Sequence, residues 1–63
     1  MKRILNVMNL KTELDKQKIE AELELTRLTF TVSLANQCVI VDGDADEVRV
    51  AKHAIEAAGY QIK

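Results

Sequence analysis

The stretch Leu28-Thr29-Phe30-Thr31-Val32-Ser33-Leu34 places an apolar side chain at every second position and a hydroxyl between each pair. A period of two marks a strand with one face in a core and the other in water. Ala35-Asn36-Gln37 then makes a turn, and Cys38-Val39-Ile40-Val41 is a second run of strand formers. The two runs read as a hairpin, and the rest of the fold is built outward from it.

Downstream, Asp42-Gly43-Asp44-Ala45 breaks the chain, and Asp44 or Asp46 is placed to cap a helix. In that helix Val48, Ala51, Ile55 and Ala58 recur at spacings of three, four and three, a stripe widened by Val50, Ala54 and Ala57. Arg49, Lys52, His53 and Glu56 cover the opposite face. Gly59 is a helix stop, and Tyr60-Gln61-Ile62 reads as a short last strand.

Upstream, Ile4 to Met8 reads as the first strand, with Leu5 and Val7 on one side and Ile4, Asn6 and Met8 on the other. Thr12 is an N-cap, with Glu13 and Asp15 at the positive end of a helix running to about Thr26. That span also carries a rival pattern. Ile19, Ala21, Leu23 and Leu25 alternate with Glu20, Glu22 and Glu24, as a strand would. Helix is preferred because Glu and Ala are poor strand residues and a strand of that length is unusual. Two helical stripes compete within it: Ile19 with Leu23, and Leu14 with Ala21 and Leu25.

The order β-α-β-β-α-β is two βαβ halves in tandem, and right-handed crossovers set both helices on one face of the sheet. The expected fold is therefore α+β: a ferredoxin-like sandwich with a four-stranded antiparallel sheet in the order 4-1-3-2. Its open face would carry Ile4, Asn6, Met8, Ile40 and Cys38. No Pro/Gly/Ser-rich linker interrupts the chain, so residues 1–63 read as a single domain.

Composition narrows the function. Nine Lys+Arg against ten Asp+Glu give a net charge of −1, which argues against sequence-independent nucleic-acid binding. No apolar run is long enough to insert in a membrane, and Met1-Lys2-Arg3-Ile4-Leu5 has no signal-peptide pattern. One cysteine excludes an internal disulfide, and one cysteine with one histidine makes no structural zinc site. A lone thiol without an export signal places the chain in the reducing cytoplasm. Ser33, Cys38 and His53 lie apart in the sequence and form no nucleophile–base set, so no enzyme is expected. Gly43 and Gly59 stand alone and make no phosphate loop. Asp42-Gly43-Asp44-Ala45-Asp46 opens like a calcium-binding EF-hand loop. Glu47 then stands where that loop needs glycine and His53 where it needs glutamate, so a helix-capping turn accounts for it.

The element order, the length and the ending Ala54-Ile55-Glu56-Ala57-Ala58-Gly59-Tyr60 resemble the heavy-metal-associated domain, a family that includes copper chaperones and the N-terminal modules of copper-transporting P-type ATPases. Leu5-Asn6-Val7 is similar to the family's first strand, Lys18-Ile19-Glu20 to its first helix, and Val39 to Asp42 to its third strand. Metal-binding members carry Gly-Met-x-Cys-x-x-Cys between the first strand and helix. Aligned without gaps, Asn9 takes the glycine place, Leu10 the methionine place, and Thr12 and Asp15 the two cysteine places. Both thiolates are missing, and soft Cu(I) is held by thiolate sulfur. The family's Gly-Val before the second strand is also absent, with Arg27-Leu28 nearby. In the family the methionine tucks beneath the metal loop, and the resemblance implies that Leu10 plugs the same place.

The expectation is a degenerate member of that family: a small cytoplasmic protein-interaction or vestigial module without a cofactor. It would meet a metal transporter or a second copy of itself through Ile4, Met8 and Ile40. One alternative is a carrier or sensor of copper or another heavy metal, with Cys38 and Met8 as soft ligands on the open face. A second is a small-ligand regulatory domain of ACT type, with its ligand at a dimer interface.

Overall fold

The computed structural model describes residues 1–63. Its elements are β1 (Lys2–Met8), α1 (Glu13–Glu24), β2 (Thr29–Ser33), β3 (Cys38–Asp42), α2 (Ala45–Ala57) and β4 (Gln61–Ile62). The hairpin pairs antiparallel, with Thr31 opposite Ile40 and Val32 opposite Val39. Strand β1 lies on the other side of β3, with Leu5 opposite Val39 and Arg3 opposite Val41. Short β4 flanks only the end of β1, at Val7 and Met8. The sheet order is β2-β3-β1-β4, which read from the other edge is the expected 4-1-3-2.

The core is a single layer between the sheet and the helices. Leu5, Val7, Val32, Val39 and Val41 meet Ile19 and Leu23 of α1 and Ala51, Ala54 and Ile55 of α2, with Leu10 completing the cluster. Burial decides between the two stripes of α1. Ile19 and Leu23 are fully buried, whereas Leu14, Ala21 and Leu25 are exposed. The two stripes lie on nearly opposite sides of the helix, about 160° apart, so only one of them can face the sheet.

Four expectations are corrected in detail. Strand β1 starts at Lys2 rather than Ile4. Helix α1 stops at Glu24 rather than near Thr26. There the Thr26 hydroxyl donates to the Leu23 carbonyl and accepts from the Leu28 N–H, and Arg27 turns the chain at φ 61°. On α2, Val50 and Ala57 are exposed rather than part of the stripe, because they lie about 100° or more around the helix from Ala51. Cys38 has the side parity of the open face but is only 4% exposed. It is hemmed between Asn6 of β1 and Ser33 of β2, its neighbours in register. No helix is long and apolar enough to cross a membrane.

Candidate functional site: a closed metal-loop position

Strand β1 runs out at Met8, and Asn9 reverses the chain at φ 65°, a left-handed conformation that Asn tolerates better than most residues. The reversal drops Leu10 into the core, where it is fully buried. Lys11 returns to solvent and Thr12 takes extended backbone angles as the N-cap of α1. Its hydroxyl accepts the Asp15 N–H at 3.2 Å, and the Asp15 carboxylate reaches back to accept the Thr12 N–H at 3.0 Å. This is a reciprocal capping box, with Asp in the place more often held by Glu or Gln. The Lys11 N–H adds a further bond to the same Asp15 Oδ2, at 3.1 Å.

The other carboxylate oxygen is held from across the molecule. The Tyr60 hydroxyl donates to Asp15 Oδ1. Tyr60 is placed by the end of α2, where the Gly59 N–H bonds to the Glu56 carbonyl and the Tyr60 N–H to that of Ile55. That pairing is a Schellman stop, and it needs Gly59 at φ 95°. The Tyr60 hydroxyl first, then the Lys11 and Thr12 N–H groups and the Thr12 side chain, hold the Asp15 carboxyl well below its usual range, at about 2, against an upward push from burial. The same bond, with desolvation and the Asp15 charge, raises the Tyr60 phenol to about 12.

The two positions that carry cysteine in the metal-binding motif are therefore engaged within the chain. Asp15 accepts on both oxygens, and the Thr12 hydroxyl accepts from backbone. Both are hard oxygen donors, and no sulfur stands beside them on this loop. They do not fit soft Cu(I). No three His, Cys, Asp or Glu side chains converge as a metal cluster.

The remaining singled-out residues fall elsewhere. Cys38 and Met8 share the sheet face turned away from the helices, but Cys38 is nearly enclosed and Met8 lies beyond the end of β3. Ile4 and Met8 are 65% and 40% exposed on that face, and Ile40 is half-buried between them and β2. His53 is exposed on the polar side of α2. The role of Tyr60 escapes sequence reasoning, because its partner is 45 residues away and no local pattern links them.

No protein-family model matches the sequence, and none of the curated proteins does. Solved structures do. A heavy-metal-binding protein of Thermotoga maritima superposes with a TM-score of 0.86 at 20% identity, over all of this chain and 92% of that one. A copper-binding domain of a P-type ATPase gives 0.81 at 23% identity, over 98% and 89%. At those identities the likeness is one of fold. The CopZ metallochaperone gives 0.83 at 31% identity over the whole of both chains. With that much identity carried end to end on a shared fold, the chain belongs to the heavy-metal-associated domain family.

Proposed function

We propose that this chain is a heavy-metal-associated domain that works by contacting another protein rather than by carrying a metal ion or catalysing a reaction. The observation that supports this reading is the closure of the loop: Asp15 is bonded to Thr12, Lys11 and Tyr60 at the positions the family uses for thiolates. A carrier has to offer soft, exchangeable sulfur there, and this loop offers occupied oxygen. The partner is a soluble domain of a metal transporter, met in the cytoplasm through Ile4, Met8 and Ile40. CopZ is a metallochaperone and another similar structure is a copper-binding domain of a P-type ATPase, so this fold serves both as a chaperone and as a module of an ATPase.

A ¹⁵N–¹H NMR titration of the reduced protein tests the reading, with Cu(I) and Zn(II) added in turn and Cys38→Ser as control. The expected result is a folded spectrum without saturable shifts, and one-equivalent Cu(I) binding once Thr12→Cys and Asp15→Cys are made together. Stoichiometric wild-type shifts at Asn9 to Asp15 overturn it. Shifts at Met8 that vanish with Cys38→Ser also overturn it, in favour of a metal carrier using Cys38 and Met8.

A further inference from the structure

The edge of β1 is only half covered. The Met1 carbonyl accepts the Gly43 N–H and the Val7 N–H donates to the Gln37 carbonyl on the β3 side, so the odd-numbered residues of β1 point their N–H and C=O groups that way. The even-numbered residues point to the opposite edge. There Asn6 accepts the Lys63 N–H, and β4 reaches no further than Val7 and Met8. The outward N–H and C=O groups of Lys2 and Ile4 have no strand beside them.

A hollow of about 300 Å³ opens at this end of β1, lined by Arg3, Ala45, Val48, Arg49 and Lys52. Arg3 has the same side parity as buried Leu5 and Val7, so it stands on the helix side of the sheet, facing the first half of α2. None of its three cations joins an ion pair; the ion pairs of the molecule are Met1 with Asp42 and Lys16 with Glu13. The acids at the start of α2 are partly engaged: Asp44 and Glu47 bond back to backbone in the helix cap, while Asp46 is exposed. A chain of net charge −1 thus gathers unpaired positive charge beside an unpaired strand edge.

We propose that this edge takes up an extended acidic segment of a partner protein, which adds as a strand beside Lys2 and Ile4 and directs its carboxylates at Arg3, Arg49 and Lys52. Main-chain bonds supply the general affinity of strand addition, and alternate side chains supply the selectivity. The segment's helix-side residues are Asp or Glu. Its other residues are apolar or hydroxyl-bearing, to lie beside exposed Ile4. A second copy does not suit the edge, because pairing β1 with β1 brings two sets of the same three cations together. The free edge of β2 lacks such a cation cluster; its Thr29 and Thr31 border a hollow whose only cation is Lys2, with Asp42 also in its lining. The site is at the far end of β1 from Thr12 and Asp15, so it stands or falls independently of the metal loop.

The test uses the whole chain, ¹⁵N-labelled, with a short end-blocked peptide alternating Glu with Val and Thr. The expected result is saturable shifts at Arg3, Arg49 and Lys52 with slowed hydrogen exchange of the Lys2 and Ile4 amides. Replacing Glu by Lys in the peptide, or making Arg3→Glu with Arg49→Glu in the still-folded protein, should weaken binding by roughly tenfold or more. Added salt should weaken it as well. Shifts without slowed exchange at Lys2 and Ile4 overturn the proposal, as does equal binding of the Lys peptide. It is also overturned if pyrophosphate alone reproduces the full set of shifts, which makes the hollow an anion pocket, or if the protection appears at Thr29 and Thr31.

Discussion

Asp15 and Tyr60 form a bond whose strength depends on pH from both sides. The Asp15 carboxyl titrates at about 2 in the folded chain against a usual 3.8. A depressed acid stabilises the fold fully above its unfolded value, so this contribution is whole above pH 4 and drains away as pH falls toward 2. The Tyr60 phenol is raised from 10 to about 12, so its contribution is whole below pH 10 and is lost as pH rises toward 12. In Tyr60→Phe, the Asp15 pKa should rise yet stay below 3.8, because the Lys11 and Thr12 N–H bonds remain. In Asp15→Asn, the phenol should return toward 10. Carboxyl ¹³C shifts and tyrosinate absorbance read the two values, and an unmoved phenol in Asp15→Asn would refute the pairing. Thr12 and Asp15 were legible in the sequence as helix-start residues because capping is local. Tyr60 was not, because the fold alone brings it to them.

At the scale of elements, both helices begin with a capping box, and that of α2 explains Gly43. Asp44 caps the helix by accepting the Asp46 and Glu47 N–H groups at 3.1 Å, and Glu47 returns to accept the Asp44 N–H at 3.2 Å. A Cβ on residue 43 would lie 2.6 Å from Glu47 Cδ and 2.7 Å from its Cβ. Gly43→Ala must therefore displace Glu47 from the cap, at a cost of about 1 kcal/mol, the usual scale of a lost capping contact. In a Glu47→Gly background, which removes both the Cβ and the carboxylate that a residue-43 Cβ would meet, the same change should cost much less, a non-additivity that denaturant melts of the four combinations would measure. The glutamate-rich pattern of α1 was compatible with a strand, and composition correctly favoured helix. Which stripe faced inward had no local signature: Leu14 and Leu25 are as apolar as Ile19 and Leu23, and the sheet chose by geometry. The end of α1 was equally hidden, since Thr26 and Arg27 stop it without a glycine or proline.

For the molecule as a whole, 12 of 63 residues are buried, so each core side chain carries a large share of a stability on the order of a few kcal/mol. Ile55→Ala removes a fully buried side chain at a cost of about 2–5 kcal/mol, comparable to the entire stability. Its far-ultraviolet circular dichroism at 25 °C should show a large unfolded fraction. Val50→Ala, on exposed α2 surface, should move the denaturation midpoint by no more than about 0.5 kcal/mol equivalent. The strand order was readable because right-handed crossovers leave one arrangement for β-α-β-β-α-β once composition favours helix for α1. The half-covered β1 edge and its cations were not, because Arg3 and Arg49 meet only when α2 crosses the sheet. Cys38 shows the limit of period-two reasoning: alternation assigns a face, while its flanking strands decide whether that face is wet. As the sole thiol of the chain, nearly closed over by Asn6 and Ser33, it reacts with an alkylating reagent chiefly when the sheet around it parts. The labelling rate of the native protein is thus an internal clock of opening events, kept by one sulfur atom.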